Sequence, residues 1–256
     1  HGIMKYDGKK FFQMNENDGL VSNRVNCLYI DSKGIVWCGT SGGISRFDGI
    51  KSLNISTDSI DGRSFLKFST SGMMMNDEGV KTIIEDKKGN MWFGTAGGLA
   101  RYSGESILRT FDEVEGLMHK DVCAITEAPN GNIWISTNGG GLYVFDITKN
   151  DTNAISMAAD ERTIFSNTIV SMAFLDEKTL VAGTFKGFNK ISIADGNRVA
   201  SAKNYNISDG FLGEECNDNA IYKDNDGNIW IGTSKGVTKY SPNLEKVNET
   251  SPSIYI

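Results

Sequence analysis

The sequence predicts an all-β fold, a β-propeller of four-stranded antiparallel blades, and three observations lead to this prediction. A short apolar phrase that ends in threonine recurs five times along the 256 residues. The spacing of the copies matches the length of one four-stranded blade. The chain also holds 29 glycines against three prolines, and 10% of its residues are aromatic. Such a composition is typical of many short strands joined by tight turns.

The repeat is defined by two phrases that keep a nearly constant distance from each other. The apolar phrase ends at Thr40, Thr95, Thr137, Thr184 and Thr233, which lie 55, 42, 47 and 49 residues apart. A glycine-led phrase precedes four of the five copies, as GLVSN (19–23), GMMMN (72–76), GLMHK (116–120) and GFLGE (210–214). Its glycine stands 21 or 23 residues before the threonine. Two phrases in constant phase indicate a structural repeat rather than chance similarity.

Each unit is interpreted as four strands, which we call a to d. Strand a is a short apolar run such as VNCLYI, and a turn with glycine leads to strand b, for example IVWCGT. A glycine-rich link leads to strand c, such as ISRFD, and strand d lies in the variable stretch that follows. Strand b is apolar at successive positions, so we expect both of its faces to be buried. Blades that pack face to face in a ring meet this requirement.

The domain boundaries follow from this alignment. We expect a β-propeller fragment over 1–242, composed of a partial blade at 1–19 and five blades at about 20–70, 71–115, 116–163, 164–209 and 210–242. The first nineteen residues match only strands c and d of a unit, so the intact ring is expected to hold more blades. Residues 243–256 are expected to form an exit linker.

Composition and charge exclude several classes of function. The net charge of −6 argues against nucleic acid or an anionic membrane surface as a partner. No run approaches the length of apolar residues needed to cross a bilayer, so direct membrane insertion by this segment is not expected. The repeats show no phosphate-binding loop and no Cys/His metal spacing, and His119 is their single histidine. We therefore predict no cofactor, no metal and no catalytic residue in this segment.

Two cysteines are candidates for a disulfide. If Ser32 and Lys33 form the tip of a hairpin, Cys27 falls directly opposite Cys38 on the neighbouring strand. A directly opposed pair is close enough for a bond to be considered. The alternative is that both are buried thiols that act as small hydrophobic side chains.

The tryptophans of strand b and the loop DNDG at 224–227 each have two interpretations. Trp37, Trp92, Trp134 and Trp230 hold one fixed position in the repeat, which favours a role in the core between blades over a role as sugar-stacking platforms. Asp224 begins a stretch that looks like a calcium loop, but apolar residues follow at once where further oxygen ligands are required. The repeat favours a turn between strands a and b, closed by Asp and Gly.

A ligand site is expected where the loops vary while the frame repeats. In an up-and-down blade, the d–a and b–c connections emerge on one face, around the mouth of the central channel. The predicted ligand-binding residues on these loops are Asn23, Arg24, Lys120, Asn138, Phe185, Lys186, Glu214 and Lys235. Their mixed charges, amides and one aromatic ring suit a small polar ligand such as an oligosaccharide. The alternatives are a solvated set of loops without a ligand, and a ligand bound mainly by another part of the protein.

The stretch GLVSNRVNCLYIDSKGIVWCGTSGGISRFDG resembles the regulator-propeller repeat of bacterial two-component sensors. The resemblance covers essentially the whole chain, is strong in the units at Thr40, Thr95 and Thr233, and is weakest in the unit at Thr184. It implies a fragment of a seven-bladed ring, with one partial blade and five more. The end of the chain resembles the closing blade of such propellers, which leads into a downstream immunoglobulin-like domain.

The resemblance also implies a function and a location. Such a chain would be the periplasmic ectodomain of an inner-membrane protein, would bind a glycan-derived signal, and would pass it to a cytoplasmic output domain, usually a histidine kinase. The full-length receptor could then work as a homodimer. One alternative is a protein-interaction or structural propeller without a small ligand. Another is a propeller lyase or hydrolase, since a related seven-bladed family contains lyases that use histidine and a metal.

Overall fold

The computed structural model describes residues 2–47, 65–69, 79–104, 108–111, 116–149, 154–166 and 168–245. The strands are β1 (Ile3–Tyr6), β2 (Phe11–Met14), β3 (Val25–Ile30), β4 (Val36–Thr40), β5 (Gly43–Phe47), β6 (Phe65–Ser69), β7 (Val80–Glu85), β8 (Met91–Thr95), β9 (Gly98–Tyr102), β10 (Leu108–Phe111), β11 (Val122–Glu127), β12 (Ile133–Thr137), β13 (Gly141–Phe145), β14 (Ile155–Ala159), β15 (Ile169–Phe174), β16 (Thr179–Thr184), β17 (Gly187–Ala194), β18 (Arg198–Tyr205), β19 (Cys216–Lys223), β20 (Ile229–Thr233) and β21 (Gly236–Tyr240). A one-turn helix α1 (Glu161–Ile164) and 3-10 turns at Glu16–Asp18, Ile207–Asp209 and Pro242–Leu244 complete the described elements.

The strands form antiparallel sheets in strict chain order. Four sheets have four strands each, and we call them blade 1 (β3–β6), blade 2 (β7–β10), blade 3 (β11–β14) and blade 4 (β15–β18). Within the described residues, blade 5 has three strands (β19–β21), and β1 and β2 form a separate hairpin. The predicted all-β propeller fragment is therefore confirmed.

The hydrophobic core lies between successive blades. Trp37 of blade 1 packs with Phe93 of blade 2, and their ring centroids are 5.6 Å apart. Trp92 packs in the same way against Phe145 of blade 3, and Trp134 against Phe174 of blade 4. These three tryptophans are each 1% exposed, which confirms their interpretation as core residues. Trp230 of blade 5 is 38% exposed, because no described strand covers its face of that blade.

The glycine before the repeated threonine sets how closely two blades approach. A Cβ atom added to Gly94 would lie 2.6 Å from Cγ2 of Thr82 and 2.6 Å from Cγ1 of Val122 in the next blade. Glycine at this position therefore lets strand a of one blade rest directly on strand b of the blade before it. Blade 3 has Ser136 here instead, and its hydroxyl donates to the carbonyl of Ile169 at 2.7 Å.

The glycine-led phrase of the repeat closes a 3-10 turn. The side chain of Asn15 accepts the backbone N–H of Asn17 at 2.8 Å, and Asp18 in return accepts the N–H of Asn15. Gly19 ends the turn with φ = 101°, a left-handed conformation that glycine adopts without steric cost. Asn206 and Gly210 repeat the same arrangement before blade 5.

The recurring aspartate holds the turn between strands a and b, as the sequence predicts for the loop at Asp224. Its Oδ1 accepts the backbone N–H groups of Asp226 at 3.0 Å and Asn228 at 2.8 Å, and its Oδ2 accepts the indole N–H of Trp230 at 2.8 Å. The interpretation as a turn is thus confirmed. The bond from the tryptophan was not predicted, and it explains why Asp and Trp occur together in the repeat.

The predicted opposition of Cys27 and Cys38 is wrong. The hairpin closes through Asp31 and Ile35 rather than through a two-residue tip, so Cys27 lies opposite Gly39 and Cys38 opposite Leu28. A shift of one residue places the two side chains on opposite faces of the sheet. Cys27 packs in the core between blades 1 and 2, Cys38 packs beside Ile3 and Leu20, and both are free thiols.

Candidate ligand-binding cavity at the channel mouth

Strand a of every blade carries a β-bulge near its start. The pairing with strand b shifts between Val25 and Cys27, Val80 and Thr82, Val122 and Ala124, Ile169 and Ser171, and Cys216 and Ile221. The residues left out of the pairing are Asn26, Lys81, Cys123, Val170 and, in the longer bulge of blade 5, residues 217–220. A bulge redirects the side chain of its extra residue away from the regular pleat.

The bulged residues line a cavity of about 410 Å³ at one end of the strands, which we call the channel-mouth cavity. Strand a of all five blades contributes to it, together with residues just before strand a and residues of the b–c turns. The lining residues are Arg24, Asn26, Lys81, Cys123, Asn138, Thr168, Val170, Phe185, Asp218 and Asn219. The blades thus converge on one space, as a propeller requires of its central channel.

Amide side chains connect strands of different blades around this cavity. Asn26 donates from Nδ2 to the carbonyl of Val80 in the next blade at 3.0 Å. Asn219 of blade 5 donates from Nδ2 to the carbonyl of Lys81 in blade 2 at 2.8 Å. Side chains that satisfy backbone groups across the channel hold the cavity wall in one shape.

A polar chain runs along the rim from blade 2 to blade 4. The ammonium of Lys81 lies 2.6 Å from Oδ1 of Asp121, and Asn138 donates to Oδ2 of the same carboxylate at 3.2 Å. Thr168 donates to Oδ1 of Asn138 at 3.2 Å. The side chains of Lys81 and Asp121 are about three-quarters buried, so the pair is less screened than a surface pair. The rim therefore holds hydrogen-bond donors and acceptors in fixed positions, among them one ammonium and one carboxylate group.

The structure brings three of the predicted ligand-binding residues to this cavity, Arg24, Asn138 and Phe185. The other five lie on the loops of this end but do not line the cavity; these are Asn23, Lys120, Lys186, Glu214 and Lys235. Asn23 is used locally, because its Oδ1 accepts the backbone N–H of Glu16 at 3.0 Å. The exposed Lys186 and Lys235 stand at the tips of b–c turns, where their backbone N–H groups donate to the repeated threonine.

Sequence reasoning missed the bulged residues. The available signal was the position directly after the Val or Ile that begins strand a. That position holds Asn26, Lys81, Cys123 and Val170 in blades 1 to 4, while the preceding residue stays apolar and β-branched. A position that varies in polarity beside a constant apolar one indicates a side chain whose surroundings differ from those of the neighbouring core residue.

The only histidine of the repeats lies away from the cavity lining. His119 sits on the loop before strand β11, and its Nδ1 is 3.0 Å from the hydroxyl of Tyr143. No group of three or more His, Cys, Asp or Glu side chains suited to a metal ion occurs among the described residues. The cavity has the side chains of a binding site, with neither a histidine base nor a metal-ligand cluster in its lining.

Comparisons with known proteins agree with this architecture. The family model of the two-component regulator propeller matches residues 19–42, 75–97, 116–139 and 216–235. The unit at Thr184, which departs most from the repeat, lies outside these matches. Histidine kinase P4 of Formosa agariphila is 25% identical to this chain over 263 residues, covering all of the chain and 15% of the kinase. The chain thus spans a small part of that relative.

Two solved structures show the same fold. The extracellular domain assigned to the hybrid two-component system BT3049 of B. thetaiotaomicron superposes with a TM-score of 0.61 at 20% identity, over 95% of this chain and 36% of that one. Virginiamycin B lyase of Staphylococcus aureus superposes with a TM-score of 0.55 at 18% identity, over 84% of this chain and 70% of the lyase. Sensor and enzyme propellers therefore share this frame, so the frame alone does not decide the activity.

The described residues contain no helix long and apolar enough to cross a membrane. The chain is a β-propeller, and four of its repeat units match the family model of the two-component regulator propeller.

Proposed function

We propose that this chain is the ligand-sensing propeller of a bacterial two-component-type sensor, and that its channel-mouth cavity binds a small polar, glycan-derived molecule. The observation that carries the proposal is the convergence of bulged residues from all five blades on a single cavity. The family of the repeats and the similarity to a histidine kinase support the sensor role. The extracellular domain with the same fold supports a periplasmic location.

The cavity has the size and chemistry that a small polyhydroxyl ligand needs. Its volume of about 410 Å³ falls within the usual range of small-molecule sites. Arg24 and Asp218 give the lining charged groups of opposite sign, and Asn138 adds an amide. Phe185 is 51% exposed, so one face of its ring is available to the apolar face of a sugar.

The end of the propeller is tied to the two blades that contribute Phe185 and Asn219. The carboxylate of Glu245 accepts hydrogen bonds from Lys190, Lys203 and Tyr205 of blade 4 and from Tyr240 of blade 5. A ligand that moves blade 4 against blade 5 would therefore move the segment that leaves the propeller. Through it, the signal would reach a downstream immunoglobulin-like domain, a membrane helix and a cytoplasmic output domain, within a homodimeric receptor.

The proposal is tested by calorimetric titration of the purified chain with a panel of oligosaccharides from polysaccharide breakdown. For the oligosaccharide that binds, Arg24→Ala should weaken binding by about tenfold or more, as expected for the loss of a hydrogen bond to a charged group. Phe185→Ala should weaken it through the loss of the aromatic face. Lys186→Ala is the matched control, because Lys186 is the exposed neighbour of Phe185 and does not line the cavity.

The outcomes separate the competing functions. Affinity that stays unchanged in both cavity variants would remove the cavity from the proposal. Absence of binding across the panel would favour a propeller that interacts with other proteins. Conversion of an oligosaccharide that is lost in His119→Ala would favour a lyase or hydrolase.

A further inference from the structure

Three blades share a carboxylate cradle at the turn between strands a and b. In blade 2, Oδ2 of Asp86 accepts the indole N–H of Trp92 at 2.8 Å, and Oδ1 accepts the backbone N–H groups of Lys88 and Asn90 at 2.9 and 2.8 Å. Asp31 with Trp37 in blade 1 and Asp224 with Trp230 in blade 5 have the same arrangement. In each case a carboxylate fills a pocket made by one indole and the turn backbone.

Blade 3 keeps the turn and the indole of the cradle but lacks the carboxylate, and the backbone N–H of Asn132 donates instead to Oδ1 of Asn130 at 3.0 Å. Ala128 stands at the aspartate position, and the turn closes with the same backbone bonds, from Ala128 N to Asn132 O and from Gly131 N to Ala128 O, both 2.8 Å. Trp134 remains in place and is 1% exposed. Among the described residues its indole N–H has no hydrogen-bond acceptor. A side-chain donor without a partner in the protein is available to a bound group.

A cavity of about 350 Å³ opens at this position, and we call it the turn-face cavity. Its walls include Ala128, Asn130 and Trp134 of blade 3 on one side. The a–b and c–d turns of blade 4 form the other side, with Glu177, Lys178, Asp195, Gly196 and Asn197. These turns lie at the opposite end of the strands from the channel mouth. The place that a carboxylate fills in three other blades is here open to solvent between blades 3 and 4.

We propose that the turn-face cavity binds a small molecule through a carboxylate group, which accepts the indole N–H of Trp134 in the place of the missing aspartate side chain. The backbone N–H of Asn130, equivalent to that of Lys88 in blade 2, is the second donor. This site is separate from the channel-mouth cavity and does not depend on the function proposed for it.

In blade 5 the same cradle favours an ionised carboxylate. The hydrogen bond from Trp230, followed by those from Asn228 and Asp226, lowers the pKa of Asp224 to about 2. The rim of the turn-face cavity adds selectivity for the rest of the ligand. Glu177 and Asp195 place negative charge there, and Lys178 lies 3.5 Å from Asp195. Such a rim favours a carboxylate that also carries hydroxyl or ammonium groups over a dicarboxylate.

The experiment follows the tryptophan indole N–H resonances of the isotope-labelled chain while acetate is added, with chloride at matched ionic strength as reference. We expect one indole resonance, assigned to Trp134 by its loss in Trp134→Phe, to shift saturably at millimolar acetate. A zwitterionic amino acid and a uronic acid serve as further arms that distinguish ammonium-bearing from hydroxyl-bearing ligands. No saturable shift up to about 100 mM acetate would overturn the proposal.

Two variants make the test specific. Ala128→Asp supplies the carboxylate within the chain and should lower acetate affinity at least about tenfold, a difference of about 1.4 kcal/mol. Asn225→Asp is the matched control: it adds the same charge to the equivalent turn of blade 5, outside the turn-face cavity, so it should retain the acetate response. An unchanged response in Ala128→Asp would place the ion elsewhere and refute the proposal. If Ala128→Asp does not fold, the Asn130 amide resonance in Trp134→Phe decides, because the proposal requires it to stop responding to acetate.

Discussion

Replacing Asp86 by alanine should lower the free energy of unfolding by about 3 kcal/mol, although the change removes only one carboxylate group. Asp86 is 6% exposed and accepts hydrogen bonds from Trp92, Lys88 and Asn90. It joins the turn between β7 and β8 to the core between blades 2 and 3. The perturbation therefore acts on one blade interface through a single carboxylate.

The magnitude follows from which donors can recover a partner in water. The N–H of Lys88 lies in an exposed residue, so water replaces the carboxylate there at little cost. The indole N–H of Trp92 is in a side chain that is 1% exposed, so it stays unpaired when the carboxylate is removed. A hydrogen bond to a charged group contributes about 1.5–3 kcal/mol, and an unpaired buried donor costs about 1–3 kcal/mol. The two ranges partly count the same loss, so we do not add them in full and expect a total cost of about 3 kcal/mol.

Thermal unfolding followed by tryptophan fluorescence measures the effect. For a domain of this size, 3 kcal/mol corresponds to a fall of about 6–12 °C in the melting temperature. Asp86→Asn should fall less, because its amide oxygen still accepts the indole N–H. Lys88→Ala is the control within the same turn, since its side chain is exposed, and should unfold within about 0.5 kcal/mol of the parent chain. An equally small change for Asp86→Ala would refute the reasoning that the carboxylate supports Trp92.

Three further predictions concern the blade interface, the exit segment and the thiols. Gly94→Ala should cost about 1–3 kcal/mol in unfolding free energy, because the new methyl group would overlap Thr82 and Val122; an unchanged melting temperature would show that this glycine does not set the blade spacing. Burial opposes ionisation of Glu245, but its hydrogen bonds from Lys190, Tyr205, Tyr240 and Lys203 outweigh it and lower the pKa to about 2. Because the pKa of Glu245 is lower in the folded than in the unfolded chain, its ionised carboxylate stabilises the fold at pH values above the unfolded pKa, and this stabilisation is lost as the pH falls toward about 2. Glu245→Gln should therefore remove part of the acid dependence of unfolding between about pH 5 and 2, and identical pH profiles of the two proteins would contradict this. Burial raises the pKa of the Cys27 and Cys38 thiols to about 12, so iodoacetamide at pH 8 should alkylate them only after denaturation, and a Cys27–Cys38 disulfide found by mass spectrometry would contradict the register.

The frame of this protein could be predicted from the sequence because its physical requirements recur in each unit. An apolar strand b, with tryptophan at one position in four of the five units, needs cover on both faces, and a stack of similar sheets supplies that cover between successive blades. The same reasoning correctly assigned Asp224 to the turn between strands a and b. Residues that recur at the same position in several units could be recognised as structural, even where one copy resembled a known motif.

Register and bulges were beyond this reasoning. Whether the first hairpin turns at Ser32 and Lys33 or closes through Asp31 and Ile35 depends on a competition between alternative backbone hydrogen bonds. A one-residue difference in register decides whether Cys27 and Cys38 share one face of the sheet or lie on opposite faces. The bulges at Asn26 and Lys81 likewise leave no mark in hydrophobic alternation, since the strand resumes its pattern at once. The loop residues Arg24, Asn138 and Phe185 were predicted, whereas the strand residues beside them were not.

The bulge at the start of strand a separates two tasks that a strand usually performs together. The paired residues on either side carry the packing of the blade, and the one unpaired residue carries none of the strand register. Blades 1 to 4 thus each contribute one residue to the channel that lies outside the pairing of strands a and b. In blades 1 to 4 of this chain the residues at this position are Asn26, Lys81, Cys123 and Val170. A substitution at one of these positions changes a side chain at the channel, while the pairing of strands a and b stays the same.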